Sequence, residues 1–431
     1  MMLEAMPLFL QRPRERNKRC PMNDPRSSLV DLSLARAQFP GAAETIYFET
    51  SARGLLPLSA RDAALTYYEA RVHAVPKESG GVFEAVELAR GKFARLLSAA
   101  ADEVTLTRNV SEGLNILVAS LPWKRGENAI VCRDIEHPNG VYTLYNMRDR
   151  HGIEVREVAP TADLAMPVES ITQAIDDRTR LVIVSSVTFA TGTRTDLAAL
   201  GQACRARGVI LLVDGAQSVG ALALDVNACH IDALVVGASK YLCGPYGLGF
   251  LFVRRELAER LQPAYLARYG VDLGDTHEGE QGDGDTYRLM PGARRFDLGS
   301  YNYSAASAAN ASLDILAAVG VPAIEHHVLA LAREMDAGLR AIGIPLVSGA
   351  VDAHRSHLVL AGMRKSSKAA LNSMAQLAAH YAAQNIRVSQ RHGRLRFSFH
   401  LYNTANEVQS VLDSTEHWAR TANLDPLKGN S

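Results

Sequence analysis

The sequence predicts an α/β chain: a mostly parallel sheet covered by helices on both faces, followed by a smaller α+β unit. Three observations carry this. Segments such as Leu181–Ser186, Val209–Val213, Ala233–Gly237 and Gly249–Val253 are short and almost wholly apolar, as strands buried on both faces must be. The segments between many of them repeat apolar residues every three or four positions, the period of a helix with one buried face. From Tyr303 onward the pattern changes to Ala-rich helices and isolated strand-like runs, which marks a second unit.

Taken in order, residues 1–27 are rich in Arg, Lys and Pro and read as a disordered arm, with Met22 an alternative start. Their Met-Pro-Leu-Phe-Leu run is too short for a signal h-region. Residues 28–57 form an N-terminal segment expected to pack on the small domain. The large domain is expected over 58–302. Its helices fall at Arg61–Ala74, Gly81–Leu97, Ser111–Ser120, Val141–His151, Val168–Ile175 and Ala198–Arg207, and its additional strands at Glu103–Thr107, Asn128–Cys132 and Glu154–Val158. Gly270–Gly292 is rich in Gly, Asp and Glu and reads as a long mobile loop. The small domain, 303–431, places strands at Pro345–Ser348, His357–Ala361 and Leu395–Phe399 under helices at Lys368–Asn385 and Ala405–Ala422.

Composition narrows the function. Apolar residues are 47% of the chain and charged residues 21%, and 46 basic side chains balance 46 acidic ones. No net field draws such a chain to nucleic acid or an anionic membrane, so a small specific ligand is expected. The apolar runs are strand-length, too short to span a bilayer. Five scattered cysteines without metal-ligand spacing predict no metal site and a reducing compartment, the cytoplasm by default.

Four clusters at the ends of predicted strands could carry chemistry, since open α/β sheets bind ligands at the carboxyl ends of their strands. V-D-G-A-Q-S-V-G closes one strand with Asp214. Asp214 either caps the next helix or keeps a cofactor's ring nitrogen protonated, which would make that ring an electron sink. One βαβ-like step later, V-V-G-A-S-K-Y-L-C-G-P-Y-G-L-G carries Lys240. Alone, Lys240 also reads as a snorkelling surface lysine; desolvated, it is a good amine nucleophile toward a carbonyl. T-R-N-V-S-E-G-L-N starts a helix at Ser111, either a plain N-cap or a phosphate site. I-E-H-P-N-G-V-Y places His137 where it could stack on a planar ring or take protons.

In this order and spacing the clusters resemble the class V group of fold-type I pyridoxal 5′-phosphate (PLP) enzymes, which includes cysteine desulfurases, kynureninase and isopenicillin N epimerase. The resemblance runs from Ile46 to Thr404 and takes in I-Y-F-E-T-S-A-R-G and L-R-F-S-F-H-L-Y-N-T. It implies a seven-stranded, mostly parallel sheet and a PLP Schiff base at Lys240. By the same likeness Asp214 is the ring-nitrogen partner, Gln217 the contact to the phenolic oxygen and His137 the stacking residue. Val110, Ser111 and Ser239 match phosphate contacts. Ser300 matches one supplied by a neighbouring subunit, which implies a homodimer with shared sites. Arg396 matches the arginine that pairs with a substrate carboxylate, for which a planar fork is suited; Ser51 and Ala52 fall beside the substrate.

Three departures bear on the reaction. Phe189 stands where desulfurases usually carry Asn, and Ser239 where they often carry His. No cysteine lies in Val351–Gly393, where a desulfurase holds its persulfide-forming thiol, and Cys243 reads as a packing residue. The expected function is therefore an aminotransferase or lyase acting on an α-amino acid. An epimerase, or a desulfurase-like C–S lyase without a persulfide cysteine, is the alternative. From another class, a catalytically silent PLP-binding partner protein stays open. A Rossmann-type nucleotide enzyme would need a Gly-rich turn, and Val110–Asn115 has one glycine.

Overall fold

The computed structural model describes residues 32–73, 81–274, 286–347, 351–363 and 367–421. The arm expected over 1–27 lies outside these residues. The strands in chain order are β1 (Ile46–Phe48), β2 (Val104–Thr107), β3 (Asn128–Val131), β4 (Glu154–Glu157), β5 (Thr179–Ser185), β6 (Ile210–Asp214), β7 (Ala233–Gly237), β8 (Gly249–Val253), β9 (Val271–Asp272), β10 (Arg288–Leu289), β11 (Leu358–Ala361), β12 (Ile386–Arg391) and β13 (Arg394–Ser398).

Seven of them make one sheet in the order β2-β8-β7-β6-β5-β3-β4. Strands β3 to β7 are parallel where they pair, and β8 runs antiparallel to both β7 and β2. Side chains alternate between the two faces of a strand, and here both faces are core. Val182, Val184, Leu211, Val213, Leu234, Val236, Phe250 and Phe252 enter one buried cluster. Leu181, Ile183, Leu212, Val235, Leu251 and Val253 enter the other. That is why these strands read as unbroken apolar runs rather than as alternation. Phe93 of the helix Gly81–Leu96 stacks on Phe250 at 4.2 Å. The second cluster lies under the helices Val110–Ser120 and Pro138–His151.

The smaller sheet has the order β1-β12-β13-β11. Its edge strand β1 comes from the far end of the chain and pairs parallel with β12. β12 and β13 form a hairpin whose loop, His392-Gly393, holds both residues at positive φ, 49° and 73°. The helix Tyr303–Val319 packs on Leu58–Val72 and Gly81–Leu96, and Val321–Ile342 packs on Ala405–Thr421.

Two expectations are corrected. Of the strand expected at Pro345–Ser348, whose last residue lies outside the described ones, residues 345–347 form one isolated bridge, Leu346 to Ala361, because Pro345 brings no N–H to a ladder. The loop expected over Gly270–Gly292 contains the two-stranded ribbon β9–β10, whose strands pair Val271 with Leu289 and Asp272 with Arg288; residues 275–285 lie outside the description.

Candidate active site

The strands β2, β3, β5, β6 and β7 all end on one edge of the large sheet, so the segments that follow them converge. A small cavity of about 50 Å³ there is lined by Val110, His137, Phe189, Asp214, Gln217 and Lys240, among others. A larger cleft of about 420 Å³, beside Arg194, Asp225 and His354, contains no lysine.

Lys240 is held by close backbone packing. Gly54 N–H donates to Ser239 O at 2.9 Å. A Cβ on Gly54 would fall 2.0 Å from Lys240 O, so only glycine admits this approach. Gly220, at φ +103°, meets Tyr241 O in the same way, its Cβ position 2.2 Å away. Lys240 Nζ makes no hydrogen bond among the described residues. Burial lowers its pKa from the usual 10.5, and the Asp214 charge opposes this only in part. Burial therefore shifts the amine toward the free base, the nucleophilic form.

Asp214 is the last residue of β6, and its Oδ1 accepts the Ala216 N–H at 2.9 Å. Burial raises its pKa, against the Ala216 bond and the Lys240 charge. A desolvated carboxylate with one backbone donor calls for a cationic N–H partner. Gln217 donates Nε2 to Ser51 O at 3.2 Å, and its Oε1 is buried without a partner. These two residues suit a protonated heterocycle with a neighbouring oxygen.

His137 caps the helix Pro138–His151, its Nδ1 accepting the Asn139 N–H at 3.2 Å. That bond leaves the ring proton on Nε2 and, with the burial that lowers its pKa, favours the neutral imidazole. Phe189 meets His137 edge-on at 4.6 Å. At Val110–Ser120 the cap is Asn109, not Ser111: Asn109 Oδ1 accepts the Glu112 N–H at 2.9 Å. Ser111 instead takes a bond from Asn139 Nδ2 to its hydroxyl at 2.6 Å, which ties the two helix starts together.

Arg396, on β13, is fully buried. Its Nε donates to Ser389 Oγ and its Nη1 to Phe189 O, each at 3.2 Å, while Nη2 has no partner. Burial lowers its pKa to about 10, so it stays cationic at neutral pH. Ser51 is buried, its N–H donating to Ser398 Oγ at 3.0 Å, and the Ala52 N–H donates to Glu49 O at 2.9 Å. Ser300, at φ 45°, does not line the small cavity. It borders a groove of about 510 Å³ with Arg108, Asn109, Gly237 and Ser239.

Sequence reasoning missed Glu136. This buried carboxylate takes the Ser185 N–H at 2.6 Å and the Ser185 hydroxyl as well. Burial raises its pKa to about 7, and the nearby Asp214 charge adds to the rise. Its place beside His137 in I-E-H-P-N was the available signal. Cys243 is buried, and burial pushes its thiol pKa far up, which disfavours the nucleophilic thiolate.

Among known proteins, the family model described as Aminotransferase class-V matches residues 46–411. A probable cysteine desulfurase of Methanothermobacter thermautotrophicus is 29% identical over 350 residues, covering 77% of this chain and 83% of that protein. The apo structure of a cysteine desulfurase from Thermococcus onnurineus NA1 superposes with a TM-score of 0.80 at 24% identity, covering 90% of this chain and 98% of the other. A mutant of C-DES with glycine covalently linked to its PLP cofactor gives a TM-score of 0.78 at 23% identity, covering 88% and 98%.

Proposed function

The chain belongs to the class V aminotransferase family, and from that premise we propose that it is a PLP-dependent aminotransferase or lyase acting on an α-amino acid. The observation that carries this reading is the pairing of Lys240, desolvated and without a hydrogen-bond partner, with the buried carboxylate of Asp214. PLP, when bound, supplies an aldehyde that condenses with amines and a ring that accepts the electron pair of the α-carbon.

The residues in place fit that group. Lys240 would hold it covalently, Asp214 would keep a proton on its ring nitrogen and Gln217 would meet its phenolic oxygen. His137 would cover one ring face, and Val110, Ser111 and Ser239 would hold the phosphate at the start of a helix, where free N–H groups favour an anion. Lys240 would also be the residue placed to take the proton from the substrate α-carbon, and burial lowers its pKa in the direction that task needs. Arg396 binds the substrate carboxylate, Ser51 and Ala52 border the same space, and Phe189 excludes water beside it. No residue of 351–393 is a cysteine, which argues against transfer of sulfur to an enzyme thiol there.

We also place the chain in a homodimer, in which Ser300 serves the partner's site, and in the cytoplasm. Among the described residues no single helix is long and apolar enough to cross a membrane. Cys132, Cys204, Cys229 and Cys243 are free thiols, as a reducing compartment requires.

The test is chemical. Borohydride reduction of the coloured protein should fix the cofactor to the peptide containing Lys240, and Lys240→Ala should abolish the label. A colourless protein, or a label elsewhere, refutes the reading. A screen of the common amino acids for keto acid, ammonia and sulfide then separates transfer from elimination.

A further inference from the structure

Among the described residues, the buried polar atoms without a hydrogen-bond partner include Arg396 Nη2, Tyr241 OH and Ser51 Oγ. Their residues are 0%, 1% and 1% exposed, so bulk water does not satisfy them. An orphaned buried donor costs about 1–3 kcal/mol, and native proteins keep few. Tyr241 is not free to swing toward a partner. Its ring meets His357 edge-on at 4.5 Å, its carbonyl accepts His400 Nε2 at 2.8 Å, and Gly220 closes on its backbone. The phenol feels the Arg396 charge and has the hydroxyls of Ser398 and Ser51 within electrostatic hydrogen-bonding reach, though not in hydrogen-bond geometry; burial raises its pKa, so it stays protonated and able to donate.

Arg396 alone is poorly placed to grip a carboxylate with two parallel bonds. Its Nε and Nη1 already donate to Ser389 Oγ and Phe189 O, and Nη2 is the one guanidinium nitrogen without an acceptor. A carboxylate offers two oxygens and about four lone-pair sites, more than Nη2 fills.

We propose that Tyr241 is a specificity-determining residue. Its hydroxyl, with that of Ser51, donates to the substrate carboxylate beside Arg396 Nη2, so the site favours amines that carry a carboxylate. This rests on the PLP reading and adds to it a residue next to Lys240. An amine without a carboxylate leaves Arg396 Nη2 without an acceptor and the two hydroxyls without a charged one, which is the physical basis of the discrimination.

The test uses two reagents that both capture the cofactor aldehyde: aminooxyacetate, which bears a carboxylate, and methoxyamine, which does not. Loss of the cofactor absorbance of the holoenzyme gives a second-order rate for each. The wild type should react with aminooxyacetate at least about a hundred-fold faster, as donors in a buried site lose that much without their acceptor. Tyr241→Phe should cut that ratio about ten-fold, the size of one hydrogen bond to a charged group, and leave the methoxyamine rate unchanged. Ser51→Ala should lower the ratio in the same sense.

Removing an orphaned hydroxyl should leave the melting temperature of Tyr241→Phe equal or higher. A ratio within two-fold of wild type in Tyr241→Phe overturns the proposal. So does a parallel fall in both rates with a lower melting temperature, the mark of a structural role. A wild type that reacts with neither reagent refutes the cofactor reading itself, and a wild-type ratio near one removes the carboxylate cradle.

Discussion

At the scale of single residues, the site is a set of buried ionisable groups whose environments set their protonation. Glu136 is the clearest case beyond the expected ones. Its folded pKa of about 7 lies above the ordinary 4.5, so the folded chain binds its proton more tightly between those values. By linkage that contributes stability fully present below pH 4.5 and lost as pH rises through 7. Glu136→Gln keeps an acceptor for Ser185 and removes the titration. In urea unfolding at pH 5 and pH 8, the difference between variant and wild type should therefore shift toward the variant at the higher pH, by on the order of 3 kcal/mol at most. A difference independent of pH would show that Glu136 does not titrate in this window. The same scale explains what sequence could and could not yield. Lys240 and Asp214 stood out because each follows an apolar strand and their spacing matches a known pattern, and both line the same small cavity. Tyr241 and Glu136 were not, because an orphaned hydroxyl and a buried carboxylate are properties of neighbours brought in from elsewhere in the chain. Ser111 was misread as a possible cap because Asn109, two residues earlier, takes the Glu112 N–H instead.

At the scale of elements, long apolar strands and periodic helices were found where their patterns placed them, to within a few residues. The losses lie where partners are distant. β1 is three residues of strand whose pairing with β12 joins the two ends of the chain. β12, I-R-V-S-Q-R, carries polar residues on a partly exposed sheet; the His392-Gly393 turn between it and β13 was the usable signal. A buried ion pair makes one such distant junction rigid. Arg90, on the helix Gly81–Leu96, donates from Nη2 to Asp297 Oδ2 at 2.8 Å and from Nη1 to Val104 O at 2.5 Å. Thr105 donates its hydroxyl to the same carboxylate. Both ion-pair residues are almost wholly buried, so Asp297→Ala would leave an uncompensated guanidinium. We expect a loss of about 3–5 kcal/mol in urea unfolding, where a surface pair would cost under about 1 kcal/mol. Because Asp297 anchors the segment that leads to Ser300, the variant should also bind PLP more weakly, as read by the absorbance titration of the apoprotein.

At the scale of the whole molecule, the groove beside Ser300 and Ser239 opens onto a face with large exposed side chains: Tyr246 is 63% exposed, Tyr265 53% and Leu298 36%. Aromatic residues are enriched in the cores of interfaces, and two of these line grooves that also hold Asn109 and Arg108 at the start of the proposed phosphate site. A second copy seated here would cover the rings and bring its own Ser300 to that site. Light scattering should then give twice the 46.7 kDa chain mass, and a chain of single mass at micromolar concentration rules the dimer out. Ser300→Ala should weaken PLP about ten-fold, one hydrogen bond to a charged group. Whether Ser300 acts on its own site or across the interface is decided by mixing. In a dimer of one Lys240→Ala chain and one Ser300→Ala chain, action across the interface leaves one site with both defects and the other intact. Half of the sites should then bind PLP with wild-type affinity and accept the borohydride label. If Ser300 serves its own chain, each site carries one defect, and no population of wild-type affinity appears.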